Sequence, residues 1–289
     1  AEADSGGHTD NRPALSLLPS MITLRNQLAD QFQYPNPPCV GLGGGIATPE
    51  SAAAAFAMGA SYILTGTVNQ ACVESGTSAI VRQMLSEAGQ ADVTMAPAAD
   101  MFEMGIKVQV LKRGTMFPLR AAKLYDLYSQ YNCFDDIPEN QKTILERDFF
   151  RKSFLAEWDQ TRTFFLSRDP SQIDRAEKDP KHQMALVFRS YLGRSSMWAN
   201  TGDPSRKIDY QIWCGPSIGA FNAWVKGSFL EQAEKRECVT VAENLLLGAS
   251  VVIRHHLIQL QGVHMPSGST SFDPMPHEQT AIWFQDVDL

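Results

Sequence analysis

Chemistry in this 289-residue sequence gathers around three glycine turns and one histidine. Gly43-Gly44-Gly45-Ile46 and Thr65-Gly66-Thr67 each close a short apolar run, and Ser5-Gly6-Gly7-His8 stands near the start. Glycine lets backbone approach an anion closely or turn through positive φ. Gly43, Gly44, Gly45, Gly66 and Thr67 can therefore aim backbone N–H groups at a phosphate. Ordinary connecting turns are the competing reading, and a single glycine turn would favour it; two turns one helix apart favour the anion site. His8 follows the Gly6-Gly7 turn, which can hold it at a cleft mouth, and its near-neutral pKa suits proton transfer. A loop histidine without any chemical role is the alternative there.

The elements around these turns must position them. Residues 39–42, Cys-Val-Gly-Leu, form a short apolar run of the kind that makes a strand buried on both faces. Thr48-Pro49-Glu50 then supplies an N-cap, a proline at the first helical position and an acid in the first turn. Small residues Ala52, Ala53, Ala55 and Ala57 carry the helix along a sheet, and Gly59 is placed to stop it. Residues 62–65 read as a second buried strand. Strand, glycine turn, helix, strand implies parallel pairing with a crossover helix. In (β/α)8 barrels a phosphate commonly sits at the loops after the last two strands, which is where these turns would lie.

Residues 2–8, the turn at 43–46 and Leu64-Thr65-Gly66-Thr67 resemble the nitronate monooxygenase-like superfamily of FMN barrels. The stretches 102–118 (FEMGIKVQVLKRGTMFP) and 210–216 (YQIWCGP) narrow the resemblance to PfaD-type trans-acting enoyl reductases of polyketide and polyunsaturated fatty acid synthases. It covers roughly residues 1–262. The resemblance implies FMN as cofactor, NADPH as reductant, and an enoyl thioester on an acyl carrier protein as substrate. It also implies that His8 is catalytic, protonating the α-carbon or orienting the thioester carbonyl. Gly6, Gly7, Gly43, Gly44, Gly45, Gly66 and Thr67 would then bind the cofactor. Three alternatives stay open: a nitronate monooxygenase-like oxidase, a relative of inosine monophosphate dehydrogenase, and an inactive docking or scaffold fragment.

A whole (β/α)8 barrel takes about 250 residues, and only the end of one strand and two full strands fit ahead of Asn69. The expected fold is accordingly α/β, the C-terminal portion of a (β/α)8 TIM barrel followed by a mostly helical region, with the earlier strands missing. The expected domains are 1–95 for the barrel portion, 96–262 for a helical region that covers substrate or packs the barrel, and 263–289 for a flexible tail. Helical patterns are read at 78–89, 119–130, 139–158, 159–168, 172–178, 181–194, 217–232 and 239–261, and a strand-like run at 106–111.

Composition narrows the partners. A net charge of -7 argues against a nucleic-acid surface. The apolar stretch 245–253, flanked by Glu243 and Arg254, is too short to span a bilayer, so no membrane partner is expected. Five scattered cysteines without a Cys-x-x-Cys pair suit reduced thiols in a cytoplasmic protein rather than a disulfide framework or a zinc site. Cys72 can be read as a nucleophile or as a packed core thiol, and the latter is favoured. His255-His256 lacks a third ligand at helical spacing, so no metal is expected. Lys107, Lys112, Arg113, Arg120 and Lys123 form a basic set that could steer an acidic carrier or hold the NADPH phosphate; a solvated face is the alternative.

Overall fold

The computed structural model describes residues 13–266, 268–269 and 271–284. The chain forms two compact units, one of residues up to Val93 together with those from Trp213 onward, the other of Thr94–Ile212.

The first unit begins with α1 (Ala14–Phe32), which the sequence patterns had not signalled. Then β1 (Leu42–Gly43), α2 (Pro49–Ala57) and β2 (Ile63–Leu64) follow in the expected strand–helix–strand order. The strands are only two residues long and, contrary to expectation, not buried: Leu64 is exposed and Leu42, Gly43 and Ile63 half-buried. The strands pair in parallel, with Leu42 opposite Ile63 and Gly43 opposite Leu64. α2 starts where the capping pattern places it: Thr48 accepts a hydrogen bond from Ser51 N–H at 3.3 Å, and Ser51 Oγ accepts from Thr48 N–H at 3.0 Å. That reciprocal box satisfies two donors that the first helical turn would otherwise leave bare. The short α3 (Thr67–Gln70) and α4 (Ala79–Ser86), capped by Ser78, complete this leg.

The second unit opens on a two-stranded sheet, β3 (Val93–Pro97) with β4 (Lys107–Leu111). Four consecutive residues of β4, Val108 to Leu111, are buried, so this strand does not alternate between water and core. Helices follow: α5 (Phe117–Gln130), α6 (Glu139–Ile144), α7 (Phe154–Arg168), α8 (Ser171–Ala176) and α9 (Pro180–Thr201). The expected helix over 139–158 is broken. After α6 the backbone loosens into one π turn over Leu145–Phe150, and Arg151 adopts a left-handed conformation at φ 58°. Ser153 then caps α7, and the Glu146 carboxylate accepts Phe154 N–H at 2.6 Å, so local capping outweighs the apolar periodicity that ran through the break. α9 outruns its expected end by seven residues (Arg194 to Thr201) because Gly202, at φ 70°, is its first left-handed stop. The core of this unit is aromatic, with Phe102 against Tyr125, Tyr128 and Phe188 at centroid distances of 5.6, 5.3 and 6.3 Å.

The chain then returns to the first unit through α10 (Ser217–Trp224), α11 (Cys238–Leu260) and α12 (His277–Thr280). This corrects the expected division at 96–262, because residues from Trp213 onward cluster with the N-terminal leg rather than with the helical unit. α11 is long and apolar enough to cross a membrane, more so than the stretch 245–253 suggested. It instead packs Ala249 and Val252 with Ala52, Ala53 and Ala55 of α2, sets Gly248 against Pro49, places Leu245 with Ala47, Val68 and Phe221, and also buries Asn244 and His255. Described residues of the segment 263–289, where a flexible tail is expected, make specific contacts. Trp224 Nε1 donates to the Phe272 carbonyl at 3.0 Å, Asn244 exchanges two hydrogen bonds with Met275 at 2.7 and 2.8 Å, and Thr280 is fully buried. Asparagine's paired donor and acceptor fix an extended segment that breaker-rich composition alone reads as loose.

Candidate functional site

The two glycine turns come together because their strands do. With Gly43 opposite Leu64 in a parallel pair, Gly44-Gly45 and Thr65-Gly66 leave the same end of the sheet side by side. Gly44 and Gly45 both take positive φ, 103° and 71°, which a side chain would resist. Beyond them Ala47 and Thr48 N–H are both taken up by Ser51 Oγ at 3.0 Å. The N–H groups of Gly45 and Gly66 find no acceptor among the described residues. Gly45 is half-buried, where a backbone donor normally has a partner, whereas Gly66 is exposed and can donate to solvent; the two N–H groups stand at adjacent strand ends, where one anion could accept both. Thr67 is buried and its hydroxyl accepts from Gly215 N–H at 2.9 Å, which leaves the hydroxyl proton available to donate. Gly6, Gly7 and His8 lie outside the described residues.

In the second unit the two stretches that narrowed the resemblance meet. Leu111 N–H donates to the Ile212 carbonyl at 2.8 Å, and Thr115 Oγ1 reaches the carbonyls of Ile208 and Tyr210 at 3.0 Å. Their shared presence in the sequence is thus a packing partnership. The basic set divides. Lys107, Lys112 and Arg113 are exposed, while Lys123 donates to Gln141 at 2.5 Å. Arg120 turns inward to pair with Asp209, donates to the Asp148 carbonyl at 3.0 Å, and lies over the Phe149 ring at 5.0 Å. Asp209 is fully buried and also receives Tyr191 Oη at 2.6 Å and Arg206 Nη1 at 3.1 Å. Burial, and then the Asp209 charge, pushes the Tyr191 phenol well above its ordinary range, so this hydroxyl stays a donor. Arg120 is structural and leaves the proposed carrier-steering set.

A cavity of about 550 Å³ lies within the same unit, walled by Phe164, Phe165, Met197 and Ala99 with Arg189 and Arg194 at its margin. Arg189 Nε donates to the Ala99 carbonyl at 2.9 Å and its Nη1 lies 3.6 Å from the Glu103 carboxylate, and Arg194 is paired with Glu157, so neither is a spare charge. Burial, then Arg206, lowers the Arg194 pKa to about 10, which leaves it protonated at neutral pH. The sequence signal that could have located this cavity is Gly193, where an added Cβ would meet nothing, one helical turn from both Arg189 and Met197 on α9.

Cys72 is fully buried and burial drives its thiol far up, so the packed-thiol reading holds and the nucleophile reading does not. His255 is buried and shares a 3.4 Å contact with Ser269, whereas His256 is exposed. What spacing could not show is that Cys72, Glu74 and Cys238 place their ligand atoms within 4.8 Å of one another, the one such group among the described residues.

Comparison with known proteins bears on these arrangements. Residues 131–210 match the family described as acyl-carrier-protein S-malonyltransferase, inserted helical domain. The chain is 49% identical over 259 residues to a polyunsaturated fatty acid synthase subunit from Thraustochytrium sp., covering 88% of this chain and 17% of that protein. It is 44% identical over 269 residues to the polyketide biosynthesis protein PksE of Bacillus subtilis, covering 93% of this chain and 34% of the relative. The crystal structure of the enoyl reductase domain of MlnA, from the macrolactin biosynthesis cluster of Bacillus amyloliquefaciens, matches with a TM-score of 0.82 and 40% identity, over 89% of this chain and 57% of that one. The chain is therefore homologous to segments of polyunsaturated fatty acid synthase subunits and of polyketide biosynthesis proteins, and it spans 17% and 34% of those two curated relatives.

Proposed function

We propose that this chain belongs to an FMN-dependent enoyl reductase that uses NADPH to reduce the α,β double bond of enoyl thioesters on an acyl carrier protein, in polyketide or polyunsaturated fatty acid biosynthesis. The observation that carries this reading is the likeness to the MlnA enoyl reductase domain in both sequence and backbone. The parallel strand–helix–strand unit supports a corner of a (β/α)8 barrel, with its phosphate end at the two glycine turns.

The residues present fit the phosphate of FMN. Gly45 and Gly66 supply unclaimed N–H donors, Gly44 keeps the approach clear of side chains, and Thr67 has a hydroxyl proton to give. Bound there, FMN would supply hydride chemistry, passing reducing equivalents from NADPH to the β-carbon of the enoyl thioester. His8 would hold the proton that the α-carbon takes up, or orient the thioester carbonyl by a hydrogen bond. The apolar cavity of the second unit would take the acyl chain by excluding water from it. Lys107, Lys112 and Arg113, exposed in an acidic chain, would attract the acidic carrier. Reduced thiols and a carrier-bound substrate suit the cytoplasm.

Flavin reconstitution tests the proposal. The protein should bind FMN and oxidise NADPH only when an enoyl-carrier substrate is added. Gly45→Val should abolish FMN retention, and His8→Ala should lower turnover with FMN still bound. A colourless protein that cannot be reconstituted would refute the assignment.

A further inference from the structure

Cys72 lies two residues beyond the end of α3 and Cys238 opens the 23-residue helix α11, 166 positions later in the sequence. Two ties bring these distant segments together. Val73 N–H donates to the Arg236 carbonyl at 2.8 Å, and both oxygens of the Glu74 carboxylate accept Cys238 N–H, at 3.0 and 3.1 Å. Two thiol sulfurs and a carboxylate oxygen end up within 4.8 Å of one another. Around a tetrahedral zinc ion with bonds of about 2.3 Å to sulfur, ligand atoms stand about 3.8 Å apart. The three groups thus need only small inward movements to close on an ion.

A second observation comes from Arg236. Its side chain is 1% exposed, yet among the described residues its guanidinium meets only the carbonyls of Leu230 and Glu231, at 2.8 and 3.3 Å, and the face of Phe221 at 5.1 Å. Nη1 has no partner at all among them. Glu231 and Glu234 act on the guanidinium by charge alone, and a buried cation with no directly paired anion is costly. Two thiolates, one carboxylate and a divalent ion sum to one negative charge, which would balance this guanidinium. Glu74 is exposed and Cys238 half-buried, so the group opens to solvent on one side, which gives an entry path and room for a water as fourth ligand.

We propose that Cys72, Glu74 and Cys238 bind a thiophilic divalent cation of the zinc type, with solvent in the fourth position. Binding replaces the two thiol protons with the ion, and the protons leave to water. Thiolate pairs select zinc over magnesium or calcium, whose hard-ion sites are built from oxygen alone.

The test uses the whole chain, kept reduced by a non-chelating phosphine, loaded with zinc chloride and desalted. Elemental analysis should find one zinc per chain, retained in Cys39→Ser and Cys133→Ser and lost in Cys238→Ser. Glu74→Gln should weaken binding by at least about tenfold, the loss typical of disturbing a metal site short of removing a thiolate. Cys72 lies in the core, so its role is read in the unaltered protein: zinc should protect both Cys72 and Cys238 from alkylation during partial unfolding, and cadmium should raise a thiolate-to-metal charge-transfer band. Substoichiometric zinc in the reduced protein, unchanged retention in Cys238→Ser, or alkylation of Cys238 that zinc does not slow would each overturn the proposal.

Discussion

The two units cohere internally by opposite means. In the first, helices meet through small side chains, Ala52, Ala53 and Ala55 of α2 with Gly248 and Ala249 of α11, and backbone comes within contact of backbone or ring. In the second, helices are pinned by buried charge: Asp209 with Arg120, Arg206 and Tyr191, and Glu157 with Lys152 and Arg194. Close apolar packing fixes where a backbone runs, which is what the phosphate site proposed at the glycine turns would require. Paired charges add little net stability over an apolar core but make the loss of one partner severe. The first unit should therefore tolerate charge changes and resist added volume, and the second should do the reverse.

Asp209→Ala should break the second unit most. It strands two guanidiniums that are only 15% and 10% exposed, at an expected cost of about 3–5 kcal/mol, read as a fall in the denaturation midpoint. The matching insult to the first unit is Gly219→Ala, because a Cβ there would collide with the backbone of Gly89 and Gln90; about 1–3 kcal/mol is expected, by the same measurement. If Gly219→Ala proved harmless, the close-packing account of the first unit would fail. Helix caps should show no such contrast. Thr48→Ala in the first unit and Asp179→Ala in the second each remove an N-cap acceptor, and both should cost about 1 kcal/mol.

Acidity separates the units more gently, and in opposite directions. Burial, opposed by Glu103, holds the His182 pKa below its ordinary value, so the folded second unit favours the neutral ring. Its contribution is present at neutral pH and is lost as pH falls below about 6.5, where the unfolded chain binds the proton more readily. His277 is raised by its hydrogen bond to Glu243, so its contribution to docking α12 is full below the unfolded value and disappears as pH rises through the folded one. Amide exchange followed segment by segment from pH 5 to 8 should show helix α9 loosening on the acid side and residues 272–284 loosening on the other. Parallel behaviour of both segments would count against the distinction.

How much of this was readable beforehand follows the same divide. The strand–helix–strand unit was legible because its signals are local: Thr48 as N-cap, Pro49 at the helix start, Glu50 in the first turn, and glycines at both strand ends. Glycine turns at 43–46 and 65–67 were expected to share a phosphate, and parallel pairing does set them side by side. The break at Arg151 was hidden, because a left-handed residue other than glycine leaves no compositional mark. Arg120 looked like surface charge, since nothing within its own helix announces an aspartate 89 positions away. The docking of the tail on Asn244, and the convergence of Cys72 with Cys238, were equally beyond any spacing rule, for both depend on contacts between remote segments.

The division of the first unit into two chain segments sets an order of events during synthesis. The second unit is one continuous stretch of 119 residues, 94–212, and can fold as soon as it leaves the ribosome. At about 5–20 residues per second, α2 must wait roughly 6–24 s after Val93 is made before any of its late partners begins to appear. Through that interval the alanine face of α2 has no α11 to cover it. A nascent chain stalled within residues 94–212 should therefore expose this face to chaperones, and one released past Leu260 should not.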